Sequence, residues 1–353
     1  MLSFQVVKLT ADTPFERGVQ YGEQAKEKII AGVDSYREIF RQTMDSSWES
    51  IKKYTRHFIE YLEKELPDIL MEAKGIAKGA EVDLEDIMVL NCRYEITKFP
   101  FIPECTTCAV LPEAAEGNKT YLVKNWDYRA GIIDNIVILH IENSNGTEII
   151  GLAEAGQLIR EGFNSNGVGI VNNALKSKND NTKIGIPVTF LRRRVLDSKT
   201  YAEAKEYIEN AKREVSNNIL IASKDGEALD MEVHPLGVEK IEPVKGVITH
   251  ANHFVAKREI NDGEESPRDE RLKALLMKHH GSINVDIIKQ ALADHENYPK
   301  AICRHPADAS LPLFRRSMTV AAMIVDFEES TVHICAGPPC EGEFKEFKLN
   351  KKM

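Results

Sequence analysis

Cys105 stands where a thiol can do covalent chemistry. The segment ahead of it, Phe99-Pro100-Phe101-Ile102-Pro103-Glu104, cannot be helix, since each proline pushes its predecessor towards extended geometry. Thr106 and Thr107 follow, small β-branched residues that open a strand-rich region. A cysteine at such a junction can attack the carbonyl that precedes it. The thiol adds to the Glu104 carbonyl, the acyl group shifts from nitrogen to sulfur, and water hydrolyses the thioester. The product begins with Cys105 and carries a thiol and a free α-amine on one residue. An unperturbed α-amine titrates at about 7.7–8.0, close enough to neutrality to shuttle a proton. Turned on a substrate amide, the same steps are nucleophilic catalysis through a thioester.

Other motifs are weaker. Cys105-Thr106-Thr107-Cys108 has the spacing of a redox pair, but such a pair belongs at a helix N-terminus after a strand. A zinc reading wants a second pair with ligand spacing; Cys335 and Cys340 flank Gly-Pro-Pro, and His250 and His253 complete no convincing set. No metal is expected. Six cysteines in a large chain of intracellular appearance read as buried free thiols. Gly167-Val-Gly169-Ile-Val-Asn172 half-matches a dinucleotide fingerprint, but ends in Asn and leads a strand rather than a helix.

The elements that must position Cys105 divide the chain in two. A strand at about 4–9 precedes Thr13-Pro14-Phe15-Glu16, which has the residues of a capping box with proline at the first helical position. Helical periodicity runs from there to about 43, and further helices are expected at 47–65, 67–79 and 83–96. After the proline segment come strands with turn signals. Asn145-Gly146, Asn166-Gly167 and Asp225-Gly226 each separate two apolar runs and read as hairpins. Helix pairs are expected at 186–197 with 200–213, and at 267–279 with 283–292; a last pair of strands spans about 318–326 and 331–335. Antiparallel hairpins with helices in blocks indicate α+β with stacked sheets rather than βαβ winding. We therefore expect a helical leader, 1–104, and a catalytic domain, 105–353.

Composition agrees with an ordinary soluble globular protein. The 353 residues carry 46 Lys+Arg against 55 Asp+Glu, a net charge of −9, with 42% hydrophobic residues. Mild acidity without a basic run argues against nucleic acid as a partner. No apolar run approaches the length of a membrane helix, and the N-terminus lacks a basic start followed by a long apolar core. A cytoplasmic chain with no membrane partner is the expectation, and a homo-oligomer is left open.

The block Glu104-Cys-Thr-Thr-Cys108, followed by Tyr121-Leu-Val-Lys124-Asn125-Trp126-Asp127-Tyr128, resembles the family of acyl-coenzyme A:6-aminopenicillanic acid acyltransferase. These are self-processing cysteine enzymes of the N-terminal nucleophile hydrolase class. The family's early glycine-bearing helix is similar to Phe15-Glu-Arg-Gly18-Val-Gln-Tyr-Gly22, its Asn-containing strand to Thr249-His250-Ala-Asn252-His253-Phe254, and its late Arg to Arg316-Ser317-Met-Thr319. The resemblance implies a four-layer αββα sandwich and self-cleavage between Glu104 and Cys105. It implies Cys105 as nucleophile, Asp127 as holder of the new α-amine, Asn252 as oxyanion donor and Arg316 as partner of Asp127 or organiser of the site. Lys124 stands where the wider class often has Arg, and Asn172 or Asn173 is a candidate second oxyanion donor. One departure is Glu104, where the penicillin enzyme has Gly; its β-carbon and charge at the scissile carbonyl would slow processing or need a pocket. The implied activity is cleavage of a linear, non-peptide amide, the acyl group passing to water or an amine. The partner is then a small acyl amide or acyl donor, acyl-coenzyme A included, with no cofactor. Hydrolysis of aminoacyl-amine or N-acyl amino acid conjugates is the alternative chemistry. A non-catalytic binding protein that retains the fold is the alternative of another class.

Overall fold

Thr13 starts the first helix as its sequence demands. Its hydroxyl oxygen accepts from the Glu16 N–H, and the Glu16 carboxylate reaches back to the Thr13 N–H. The computed structural model describes residues 2–44, 46–96 and 105–350. The Glu104 side of the expected cleavage lies outside the described residues.

The single long helix expected to about 43 is two, α1 (Pro14–Gln24) and α2 (Lys26–Met44), broken at Ala25. Four more follow as α3 (Trp48–Glu65), α4 (Pro67–Ala80), α5 (Leu84–Asn91) and the single turn α6 (Arg93–Ile96). Glycines set how closely α1 and α4 approach. A β-carbon at Gly18 would run into the Glu72 carbonyl and one at Gly75 into the Phe15 carbonyl, so the two backbones touch where side chains would hold them apart.

An eight-stranded sheet has the spatial order β1 (Gln5–Leu9), β4 (Ile136–Glu142), β5 (Glu148–Glu154), β6 (Glu161–Asn164), β7 (Val168–Ala174), β8 (Asn217–Ser223), β9 (Ala228–His234) and β10 (Gly237–Ile241). A six-stranded sheet has the order β11 (Val247–His250), β2 (Thr106–Val110), β3 (Tyr121–Arg129), β12 (Ser317–Asp326), β13 (Thr331–Ala336) and β14 (Phe344–Lys348). Among the described strands all pairings are antiparallel except β1 with β4. The edge strands β10 and β14 escape a reading by hydrophobic alternation. Three of the five residues of Phe344-Lys-Glu-Phe-Lys are charged, as edge strands often are, and the segment looks like a solvated loop.

Three apolar clusters make the layers. α1 to α6, with α7 (Val188–Leu196) and α8 (Tyr201–Asn210), pack on the outer face of the eight-stranded sheet. The inner faces of both sheets meet around Trp126, Ile138, Phe163, Leu220 and Met323. α9 (Arg268–Met277) and α10 (Val285–Leu292) cover the outer face of the six-stranded sheet. This is the expected αββα sandwich. The helices α1 to α6 form one of its layers together with α7 and α8, and the chain ahead of them supplies strand β1. Tyr21 shows the integration: its hydroxyl donates to the Gln157 carbonyl at 3.0 Å and accepts from the Gly156 N–H at 3.1 Å.

Candidate active site

Cys105 immediately precedes β2, and Thr106 pairs with Asn125 on β3. Strand alternation then sorts the side chains. Cys105, 2% exposed, joins the core between the sheets, whereas Cys108 joins the core beneath α9 and α10. The two thiols face opposite sides of the sheet, so the redox-pair reading fails on geometry. The Cys105 Sγ lies 3.8 Å from the Asp127 carbonyl oxygen.

β3 brings two charged residues to the same stretch of sheet. Lys124 points into the layer between the sheets, where its Nζ meets the Glu161 carboxylate at 2.9 Å with both side chains buried. Burial opposes the Glu161 charge, but Lys124 and Arg160 hold its carboxyl below the usual range. Asp127 lies across from Thr319 in the β3–β12 ladder, at a register shift between Thr319 and Ala321. The Thr319 hydroxyl donates to Asp127 Oδ1 at 2.6 Å. Asp127 Oδ2 has no hydrogen-bond partner among the described residues. Complete burial pushes the carboxyl up to about 7, against the pull of Arg268, Thr319 and Lys124.

Arg268, the first residue of α9, is a member of this group that sequence reasoning missed. Its Nε donates to Thr106 Oγ1 at 3.2 Å; its Nη2 donates to the Cys105 carbonyl at 3.4 Å and to Asn252 Oδ1 at 2.9 Å. A guanidinium has only donors, so Asn252 must turn its oxygen to Arg268 and its amide nitrogen away. That nitrogen donates to the Ala174 carbonyl at 2.9 Å, which leaves a second N–H. No spacing marks Arg268 in the sequence; the one available signal was its place at the start of an expected helix.

Arg316 is elsewhere. It precedes β12, is partly exposed, and its Nε donates to the Leu311 carbonyl. Ser317 already pairs with Arg129, so the strand carries Thr319, not Arg316, to Asp127. The expectation that Arg316 partners Asp127 is therefore replaced by Thr319 and Arg268.

Asn172 and Asn173 take different partners from adjacent positions on β7. Asn172 Nδ2 donates to the Arg160 carbonyl at 3.0 Å and to Glu161 at 3.2 Å. Asn173 Nδ2 crosses between the sheets to Thr107 Oγ1 at 2.8 Å, two residues from the thiol. The helix α6 contributes Tyr94, which was not expected. Arg160 lies 4.2 Å over the Trp126 ring and donates to the Tyr94 hydroxyl at 3.2 Å. Burial alone would raise the Tyr94 phenol, yet Arg160, Arg93 and Arg192 bring it down to about 8. His250 is a buried structural group, its Nε2 2.9 Å from Glu232.

Burial pushes the Cys105 thiol up, against the pull of Lys124 and Arg160. In the continuous chain the Cys105 thiol is therefore protonated at neutral pH, and to attack a carbonyl it would need a base at close range.

A family model for acyl-coenzyme A:6-aminopenicillanic acid acyl-transferase matches residues 114–341, more than half of the chain. Of the site residues described above, the matched range holds all except Arg93, Tyr94 and the segment 105–108. The chain is 27% identical over 302 residues to the 40 kDa form of acyl-coenzyme A:6-aminopenicillanic-acid-acyltransferase from Emericella nidulans, covering 83% of this chain and 82% of that protein. Among solved structures, a variant of the conjugated bile acid hydrolase from Clostridium perfringens aligns at 13% identity and a TM-score of 0.47, over 70% of this chain and 98% of that one. The N-acylethanolamine-hydrolyzing acid amidase ortholog of Caenorhabditis elegans aligns at 15% identity and a TM-score of 0.45, over 63% and 93%. The chain belongs to the acyl-coenzyme A:6-aminopenicillanic acid acyl-transferase family.

Proposed function

We propose that this protein is a self-processing cysteine amidohydrolase or acyltransferase that opens a linear amide through a Cys105 thioester. The observation that carries the reading is the convergence on Cys105 of Lys124 and Asp127 from β3, Asn252 from the segment after β11 and Arg268 from α9, three separate stretches of chain. In the continuous chain the thiol is buried and protonated. Cleavage before Cys105 frees an α-amine on the same residue, which supplies the missing base. The unpartnered Oδ2 of Asp127 is the acceptor suited to hold that amine. The thiolate then attacks the substrate carbonyl, the α-amine returns the proton to the leaving nitrogen, and water or an acceptor amine takes the acyl group. The second N–H of Asn252 is the candidate oxyanion donor, with Arg268 fixing the amide by its oxygen. The acyl source is a small acyl amide, or an acyl thioester such as the acyl-coenzyme A in the name of the Emericella nidulans relative.

Mass spectrometry under denaturing conditions, combined with turnover of a panel of acyl amides before and after iodoacetamide, tests the reading. Two pieces meeting at Glu104–Cys105 and turnover abolished by alkylation of Cys105 are expected. Turnover that survives complete alkylation of Cys105 would sink it.

A further inference from the structure

His295, Cys303, His305 and Cys340 bring one ligand atom each into a cluster in which all four atoms lie within 4.8 Å of one another. The Cys303 and Cys340 sulfurs are 3.5 Å apart. His305 Nε2 is 3.2 Å from Cys340 Sγ, 3.7 Å from Cys303 Sγ and 3.2 Å from His295 Nε2. A tetrahedral zinc ion, with bonds of about 2.3 Å to sulfur and about 2.0–2.1 Å to nitrogen, has edges of about 3.8 Å between sulfurs, about 3.6 Å between sulfur and nitrogen and about 3.3 Å between nitrogens. These four separations lie within about 0.4 Å of the corresponding edges, and the two from His295 to the sulfurs are within 4.8 Å. They are far too long for a disulfide, and both thiols are free.

We propose that His295, Cys303, His305 and Cys340 form a structural zinc site. Two thiolates and two imidazoles suit zinc, and four protein ligands fill a tetrahedron and leave no position for substrate. Binding displaces the two thiol protons to solvent, so the dication meets two negative charges and the occupied site is neutral. His305 is oriented as a ligand should be, with its Nδ1 3.6 Å from the Glu341 carboxylate and its Nε2 facing the cluster. Such a carboxylate behind a ligating imidazole is the usual supporting arrangement.

The backbone around the ligands is held independently of any ion. The Cys303 N–H donates to the Asp294 carbonyl at 2.9 Å, and the Asn125 side chain donates to the carbonyls of Leu292 and Ile302 at 3.0 and 2.9 Å. Arg304, between two ligands, exchanges bonds with Thr319: its N–H donates to Thr319 Oγ1 at 2.8 Å and its carbonyl accepts from the Thr319 N–H at 3.0 Å. Thr319 in turn holds Asp127. Zinc would fasten this segment to the β13–β14 connection and so stiffen the support of Asp127. This proposal departs from the sequence expectation of no metal, because His295, Cys303 and His305 meet Cys340 only through the fold.

The test uses the full chain, stripped with chelator and kept reduced. Zinc content by elemental mass spectrometry should reach one ion per chain. Cobalt(II) should give the visible absorption of a tetrahedral thiolate complex. Cys340 and His295 are exposed, so Cys340→Ser and His295→Gln should fold normally by circular dichroism. Each should weaken zinc binding more than about 100-fold, since even supporting groups outside the ligand set are worth about 10–100-fold. Zinc binding that is unchanged in both variants, a stoichiometry well below one, or a Cys303–Cys340 disulfide persisting in reductant would each overturn the assignment.

Discussion

Thr319 Oγ1 accepts from the Arg304 N–H at 2.8 Å and donates to Asp127 Oδ1 at 2.6 Å, so one hydroxyl ties the β12 ladder and the 294–305 segment to the buried carboxyl. The other oxygen of that carboxyl has no hydrogen-bond partner among the described residues. A carboxyl so placed is costly to ionise in the folded state, and this shows in how stability depends on pH.

Asp127 titrates near 7 in the folded chain, against about 3.9 for an unperturbed Asp. A raised carboxyl contributes stability that is intact below about pH 4 and is lost progressively as pH rises from there through about 7. Chemical denaturation between pH 4.5 and 8 should therefore show wild-type-like protein losing stability relative to Asp127→Asn. Both should carry Cys105→Ala, so that no α-amine is created. A gap of a few kcal/mol is expected, because each pH unit separating the folded and unfolded titrations corresponds to about 1.4 kcal/mol. Parallel pH profiles would place Asp127 in a solvated setting and remove this account of the site.

Cys105→Ala should give one uncut chain with an unchanged fold. The substitution removes only a sulfur at the end of a strand. The unsubstituted chain should give pieces of 104 and 249 residues (353 minus 104) that elute together under native conditions. Co-elution is expected because α1 to α6 share one apolar core with the eight-stranded sheet, each fully buried aliphatic side chain contributing about 1.5–3 kcal/mol. Pieces of the same size from Cys105→Ala would remove this residue from self-processing.

Cys108→Ala should keep turnover within a few-fold of the unsubstituted enzyme while lowering the melting temperature slightly. Cys108 is buried on the opposite face of the sheet from Cys105, among apolar residues beneath α9 and α10. Alanine is the right probe, since a serine hydroxyl there would need a partner. Loss of turnover as complete as for Cys105→Ala would restore the redox-pair reading.

The layers were legible because local signals and the global fold agree. The capping box at Thr13, the three turn dipeptides and the proline segment each act through a few neighbouring residues. Cys105, Lys124, Asp127 and Asn252 were legible through the resemblance of their blocks, and the fold gathers them. What sequence could not give are partners made by register and by long-range packing. Arg316 and Thr319 are three residues apart, and only the pairing of β12 with β3 decides which of them reaches Asp127. Arg268 comes from a helix in another layer, Tyr94 from α6, and Cys340 meets His305 from across a hairpin. No periodicity encodes such meetings.

Asn252→Ala separates an oxyanion donor from a structural amide. In the structure Asn252 accepts from Arg268 and donates one N–H to Ala174, with a second N–H left for chemistry. A donor aimed at charge that develops only in the tetrahedral intermediate should affect turnover more than substrate binding. On cut enzyme we expect kcat to fall about 10²–10³-fold with KM little changed. Arg268→Gln provides the contrast. It leaves the Asn252 oxygen without its guanidinium and frees the Cys105 carbonyl and Thr106 hydroxyl, so the loss should extend to self-cleavage as well as turnover. Cut Asn252→Ala that turns over normally would make the residue a structural amide. The oxyanion role would then pass to Asn173, whose amide crosses the sheets two residues from the thiol, rather than to Asn172, whose amide already faces Glu161.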